Sequence, residues 1–423
     1  TDFEKGLMRM LSHRHLIVPL IAVLFSLPLS GWAQHESEEH QEESSHAEAT
    51  HEGGHAAFDP TATALHHISD ANVFTILDFI RIPLPMILYS KDEGLDIFSS
   101  GKFHPGEHDN GEYAYHRYVL FEGNVHRIKD PSFPNDLVEI GPHSFSEHID
   151  DQNDEVVYLN YEGTEYQLDP RTTLDNGMFG GKFTSFYDFS ITKNVLSMML
   201  VAMLLFWLFR KAALAYSRRS GMAPSGVQSW LEPVFTFIRD EVAIPFIGRD
   251  RYLKYLPLLM SLFFFILGLN LFGQIPFLGG TNVTGNLTVT GILAILVFLV
   301  VSFSGKKHYW QHIFWMPGVP VFVKPLLAFV EFLGVFIKPI TLMLRLAGNI
   351  VSGHIAILSF IGLIFIFGKA GESLGGSVVG TLMSVPLTMF MMAIELIVAF
   401  VQAFVFTILT ASYIGAAIDD GHH

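Results

Sequence analysis

Arg345, Asn349, His354, Glu395 and Gln402 all stand in two long apolar stretches, at about 321–367 and 378–417. An arginine guanidinium stays charged at any physiological pH. A charge at the centre of a membrane helix costs about 2.5–3.5 kcal/mol on insertion scales, so it signals a function. A histidine titrates near neutrality, and burial lifts a carboxyl towards that range, so a buried His–Glu pair can pass a proton. His354 and Glu395 are candidates for that pair.

Helical geometry sorts these residues. Lys324, Glu331, Lys338 and Arg345 recur every seven positions. Seven residues make nearly two turns, so the four share one face. Thr341 and Asn349, four residues to either side of Arg345, join it. His354 lies nine residues on, half a turn round, and faces the opposite way. Glu395 and Gln402, again seven apart, share a face of the last segment. We therefore expect two polar surfaces, one of Arg345, Asn349 and Gln402 and the other the His354–Glu395 pair. The structural alternative is a set of interhelical hydrogen bonds and a buried ion pair. The concentration of Arg, His, Glu, Asn and Gln in two segments favours function.

The elements that carry these groups span a membrane. The chain has 423 residues, 50% hydrophobic and only 16% charged, with mean hydropathy +0.37, as expected of a polytopic membrane protein with a soluble part. Val195–Phe209 forms the core of a first span and ends in Arg210-Lys211, a cytoplasmic signature. Residues 226–246 place apolar and charged positions at helical spacing and predict an amphipathic hairpin on the cytoplasmic surface. Tyr255–Phe277 returns outward and breaks at Gly279-Gly280, and Leu287–Val301 crosses inward to Lys306-Lys307. The last two stretches, parted by a Gly-rich turn at 368–376, exceed the roughly 20 residues of an upright span. They must tilt steeply, bend or hairpin. Five crossings put every basic cluster, and the C-terminus, in the cytoplasm.

The N-terminal part has a different character. Residues 1–33 read as a signal peptide: Arg9 and Arg14, an apolar run to Leu29, then Gly31-Trp32-Ala33. Residues 34–67 form a His/Glu-rich linker that cannot bury a core. From 68 to 187 the runs Tyr115–Phe121 and Glu155–Tyr161 have strand character between Gly, Asp and Asn turns. They predict a small β-rich extracytoplasmic domain whose histidines, with no metal-ligand spacing, lie on its surface. The whole is then an all-α membrane domain (188–423) of about five crossings, preceded by that domain. A formal charge of −15 argues against nucleic acid as a partner. There is no cysteine, and no P-loop, dinucleotide fingerprint or H-E-x-x-H motif, so no cofactor or metal is implied.

Leu344-Arg-Leu-Ala-Gly-Asn349, Gly353-His354, Glu395 and Gln402-Ala-Phe-Val-Phe-Thr-Ile-Leu-Thr410 resemble subunit a of F-type ATP synthases, from about residue 190 to the C-terminus. The resemblance implies a proton-translocating, non-catalytic subunit in the cell inner membrane, in contact with lipid, a rotating c-ring and the peripheral stalk subunit b. By position, Arg345 becomes the arginine facing the ring, with Asn349 and Gln402 its polar neighbours. Glu331, Lys338 and Thr341 lie along the same helix, and Gly285-Asn286-Leu287-Thr288 resembles the polar entry of an outer half-channel. Many bacterial members carry an acidic residue just before that asparagine, where this chain has Thr284 and Gly285. Some bacterial members carry Glu at the position of His354 and His at that of Glu395. The exchange here preserves the ionisable pair, which implies contact between its members. The rival readings are a stand-alone channel or secondary transporter, for which inverted repeats are expected and none is seen, and a structural membrane scaffold.

Overall fold

The computed structural model describes residues 70–419, apart from 77–79, 107–108, 142–143, 150–154, 173–183, 219–221, 276–280, 317 and 369–372. The signal-peptide and linker expectations, and the Gly279-Gly280 break, lie outside the described residues.

A β-rich region comes first. Strands β1 (Val73–Ile76) and β2 (Ile80–Pro83) pair, as do β5 (Tyr113–Ala114) and β8 (Val138–Glu139). A five-stranded antiparallel sheet has the order β6-β7-β11-β10-β9, from Tyr118–Phe121, Asn124–Ile128, Thr164–Asp169, Glu155–Tyr161 and Phe145–Ile149. Strands β12 (Phe186–Asp188), β3 (Pro85–Ser90) and β4 (Gly94–Ser99) form a third sheet. Two hairpins of the larger sheet turn on Glu122-Gly123 and Glu162-Gly163, with φ of 47° and 76°, and 50° and 78°. Positive φ at both central residues matches the right-handed twist of the flanking strands. The expected strand Tyr115–Phe121 is shorter than its sequence suggests. His116 and Arg117 adopt φ of 49° and 60°, and Tyr115 and Tyr118 exchange backbone hydrogen bonds across them. Met86, Leu88, Phe103, Tyr118, Leu120 and Phe186 pack one core, and Val119, Ile128, Phe133, Leu159 and Leu168 a second.

This region is fastened to the first helix, α1 (Lys193–Arg218). The Asp70 carboxylate accepts hydrogen bonds from the N–H groups of Ala71 and Asn194, at 3.0 and 3.2 Å. The Lys193 N–H bonds the Ala71 carbonyl. Two orphan donors of the helix N-terminus are thereby satisfied.

The helical part continues with α2 (Val227–Phe237), a π-turn (Ile238–Ala243) and α3 (Ile244–Ile247), then α4 (Tyr252–Gly273), α5 (Leu287–Ser304), α6 (Lys307–Phe314), α7 (Lys324–Phe367) and α8 (Leu374–Ile418). Among the described residues, five helices are long and apolar enough to cross a membrane: α1, α4, α5, α7 and α8. The hairpin expected at 226–246 is corrected. Residues 227–247 form one helical run, and its π-turn lies just ahead of Pro245, whose nitrogen cannot donate to the preceding turn. Its apolar side, with Phe235, Ile238, Val242 and Ile247, joins the main helical core. The Gly-rich turn is also shorter than expected. Ser373 caps α8 by accepting from the Gly376 N–H at 3.1 Å, so helix starts at Leu374 rather than near 378.

Helix α4 is the most buried span, with Leu259, Met260, Leu262, Phe263 and Ile266 at the centre of the core. It packs on α8, α5 packs on α7, and α7 and α8 pair along their lengths. Each of the last two is one uninterrupted helix, of 44 and 45 residues. At 1.5 Å per residue each runs about 66 Å, roughly twice the hydrocarbon thickness, so neither stands upright in a bilayer.

Candidate functional site

Helix α7 carries its buried residues as a stripe of Val335, Leu342, Leu346 and Ile350, spaced by seven and four. That stripe anchors the helix and fixes where its polar groups point. Arg345, Thr341 and Asn349 lie beside it and are exposed. Among the described residues Arg345 makes no hydrogen bond and no ion pair, while the Thr341 hydroxyl donates to the Ile337 carbonyl at 2.9 Å. Half a turn away, His354 points into the protein. Its Nδ1 lies 3.7 Å from Oε1 of Glu395, which α8 holds at 5% exposure. The two residues that the sequence pairs are brought together, and Arg345 is kept apart.

The 3.7 Å separation exceeds a hydrogen bond. Oε1 of Glu395 is buried with no hydrogen-bond partner among the described residues, and so are the hydroxyls of Thr281 and Thr288. Buried polar atoms are nearly always satisfied, so unmet ones mark a place built for chemistry or water. Glu395 and Thr281 lie in a recess lined also by Asn270, Gln274, Asn282, Thr284 and His354, with Leu269 and Ile350. Thr284 donates to the Asn270 side chain at 2.7 Å. Gly353, one residue before His354, leaves room for the carboxylate, because a Cβ there would stand 3.0 Å from Oε1 of Glu395.

A second recess opens beside α7 on the other side of Arg345. Lys338, Tyr309 and Tyr413 line it, with Val297, Val335 and Leu342. The Lys338 ammonium sits 5.4 Å from the centre of the Tyr413 ring, close enough for a cation–π contact. Seven residues separate Lys338 from Arg345 and nine separate Arg345 from His354, about 10 and 14 Å along the axis. Arg345 therefore stands between two recesses offset along one helix. Glu331, seven residues before Lys338, is half-buried.

Two further residues of the sequence reading have these surroundings. Gln402 is buried at 8% exposure, whereas Arg345 and Asn349 are exposed. Asn286 is the N-cap of α5, accepting from the N–H groups of Thr288 and Val289 at 2.9 and 3.4 Å. Its side-chain oxygen serves the helix end, and Asn270, Gln274 and Thr284 line the recess. Sequence reasoning passed over Asn270 and Gln274, though two amides four residues apart at the end of an apolar run were a readable signal.

Against known families, residues 195–415 match the profile described as ATP synthase A chain. The chain belongs to that family. It is a subunit a of the membrane sector of a bacterial F-type ATP synthase, and the subunit is not itself catalytic. Among its relatives is "ATP synthase subunit a" of Myxococcus xanthus, 35% identical over 60% of this chain and 81% of the relative. Another is "ATP synthase subunit a 2" of Chlorobaculum tepidum, 39% identical over 56% of this chain and 67% of the relative. Residues 63–177 match a separate family described only as a domain of unknown function. Membership makes the chain a multi-pass component of a proton-translocating assembly.

Proposed function

We propose that this subunit a forms the fixed wall of a rotary proton path, with two half-channels kept apart by Arg345. The observation that carries this reading is the arrangement along α7: an exposed guanidinium, without an ion pair among the described residues, between two separate recesses, with a His–Glu pair in one of them. A carboxylate on a neighbouring c-ring is neutral while it travels in lipid. When it reaches Arg345, the fixed cation favours its charged form, and its proton leaves through the adjoining half-channel. The same cation repels a proton or hydronium, so the recesses do not leak into each other. The membrane potential drives the cycle with about 2.3 kcal/mol per charge per 100 mV.

In this reading the recess of His354 and Glu395 opens outward, and that of Lys338 and Tyr413 opens to the cytoplasm, along with Glu331 and the C-terminus. The β-rich region then lies outside the cytoplasm, over the first span. The c-ring faces the open side of α7 and α8, where Leu344, Phe336, Leu396 and Phe400 are exposed, and subunit b of the peripheral stalk completes the stator.

Neutral replacement of His354 or Glu395 tests the outer path. Each should slow proton flux through the isolated complex while the c-ring still co-purifies, and the exchange His354→Glu with Glu395→His should restore flux. Full flux in both single variants would sink the assignment.

A further inference from the structure

Glu395 meets His354 only if α8 keeps its height against the rest of the bundle. Arg251 and the Lys306 N–H hold its C-terminal end by donating to the Ile418 and Ala417 carbonyls, and Ser384 donates to the Phe360 carbonyl nearer its start; the stretch around Glu395 lies between these points. Leucine and phenylalanine contacts permit sliding, because they are non-directional. Two directional contacts stand out. The Gln274 amide, at the end of α4, donates to the backbone carbonyl of Glu395 itself at 2.8 Å. One turn earlier on α4, the Asn270 amide donates to the backbone carbonyl of Ala399 at 3.2 Å, one turn later on α8. Each carbonyl has a second lone pair beyond the one used within the helix. The pairs 274–395 and 270–399 run in opposite directions along the two chains, as the rungs of antiparallel helices must. Thr284, by donating to the Asn270 oxygen at 2.7 Å, turns the Asn270 nitrogen towards α8. Gly273 lets this loop come close, since a Cβ there would stand 2.6 Å from the Thr281 carbonyl oxygen.

We propose that Gln274 and Asn270 are positioning residues, an amide ladder that locks the axial register of α8 on α4 and so sets how Glu395 faces His354. The inference rests on the outer-path reading above. Neither amide titrates, and among the residues lining the recess only His354 and Glu395 do, so the ladder acts on proton flux through their geometry alone. Slippage by one residue would rotate Glu395 by about 100° and shift it about 1.5 Å along the axis, removing it from His354.

The test uses the whole ATP synthase complex in lipid vesicles, with Gln274→Met, which keeps the length and loses the donor, and Asn270→Leu. Passive proton flux is measured as a function of pH. Each variant should lower flux about fivefold, the factor carried by one net hydrogen bond, and should displace the midpoint of the pH profile, whereas a general packing defect would scale the profile without moving it. Because the chain has no cysteine, spin labels at Leu271→Cys on α4 and Ile397→Cys on α8 read the register directly. A narrow distance distribution in the parent should shift or broaden in either variant. An unchanged pH midpoint with an unchanged distance distribution overturns the ladder, even while Glu395→Gln still slows flux and the outer-path reading stands. If Gln274→Met does not assemble, Gln274→Asn, which keeps the amide and shortens its reach, is read by the same two outcomes.

Discussion

Gly353 lies one residue from His354 and leaves almost no space beside Glu395. A methyl group there would sit 3.0 Å from Oε1, 3.3 Å from Cδ and 3.6 Å from Cγ of Glu395. The first two are shorter than ordinary contact, so Gly353→Ala must push the carboxylate by a few tenths of an ångström. Glycine to alanine within a helix gains about 1 kcal/mol, and crowding a packed site costs about 1–3 kcal/mol. The balance is a loss of about 1 kcal/mol concentrated at the His354–Glu395 contact, or about fivefold in the population of the aligned pair. Proton flux through the complex should fall by about that factor while assembly and the yield of complex hold. Gly334 on the same helix has open space where its Cβ would be, so Gly334→Ala makes the matched control and should keep full flux. Equal flux in Gly353→Ala and Gly334→Ala would refute the claim that the carboxylate is held tightly at this contact.

Other expectations follow from the same geometry. Asn286→Ala removes the N-cap of α5 and should lower thermal stability by about 1 kcal/mol, with Asn286→Ser recovering most of it. If Asn286 lined the proton path instead, flux would drop in both variants. In the β-rich region, burial against Phe121 pushes His126 down to about 4, despite a hydrogen bond to the Asn124 carbonyl. The unfolded chain binds a proton at about 6.5 and the folded one only near 4. The contribution of neutral His126 is therefore complete above pH 6.5 and lost as pH falls to 4, by at most about 3 kcal/mol. Hydrogen exchange at the β6 and β7 amides of the full-length protein should accelerate through that window, and His126→Gln should flatten the change.

What the sequence revealed, and what it hid, divides by the range of the interaction. The opposition of Arg345 and His354 follows from nine residues on one helix, and no fold is needed to compute it. The facing of His354 and Glu395 came from chemistry, because two ionisable groups in apolar helices stabilise each other by meeting. The recess around them was less readable. It depends on the 281–285 loop touching the end of α4, a contact set by Gly273 and by loop geometry far from either helix in sequence. Asn286 shows a different difficulty, since one carboxamide suits a proton path and a helix cap equally well, and the Thr288 N–H it accepts from becomes visible only in the fold. The 226–246 segment repeats at helical spacing whether it folds back or runs straight. Its π-turn, a short change of backbone hydrogen bonding ahead of Pro245, leaves no periodic trace. In the β-rich region the Glu-Gly turns lack the Asn-Gly signature that marks such hairpins, so the strand register was out of reach.

The central claim is that Arg345 separates two proton pathways while coupling both to a moving carboxylate. ATP-driven proton pumping by the purified complex carrying Arg345→Ala, followed with a pH-sensitive dye in sealed vesicles, tests it most directly. The account predicts that pumping is abolished while the complex, with its c-ring, still assembles. Normal ATP-driven pumping in that variant would contradict it.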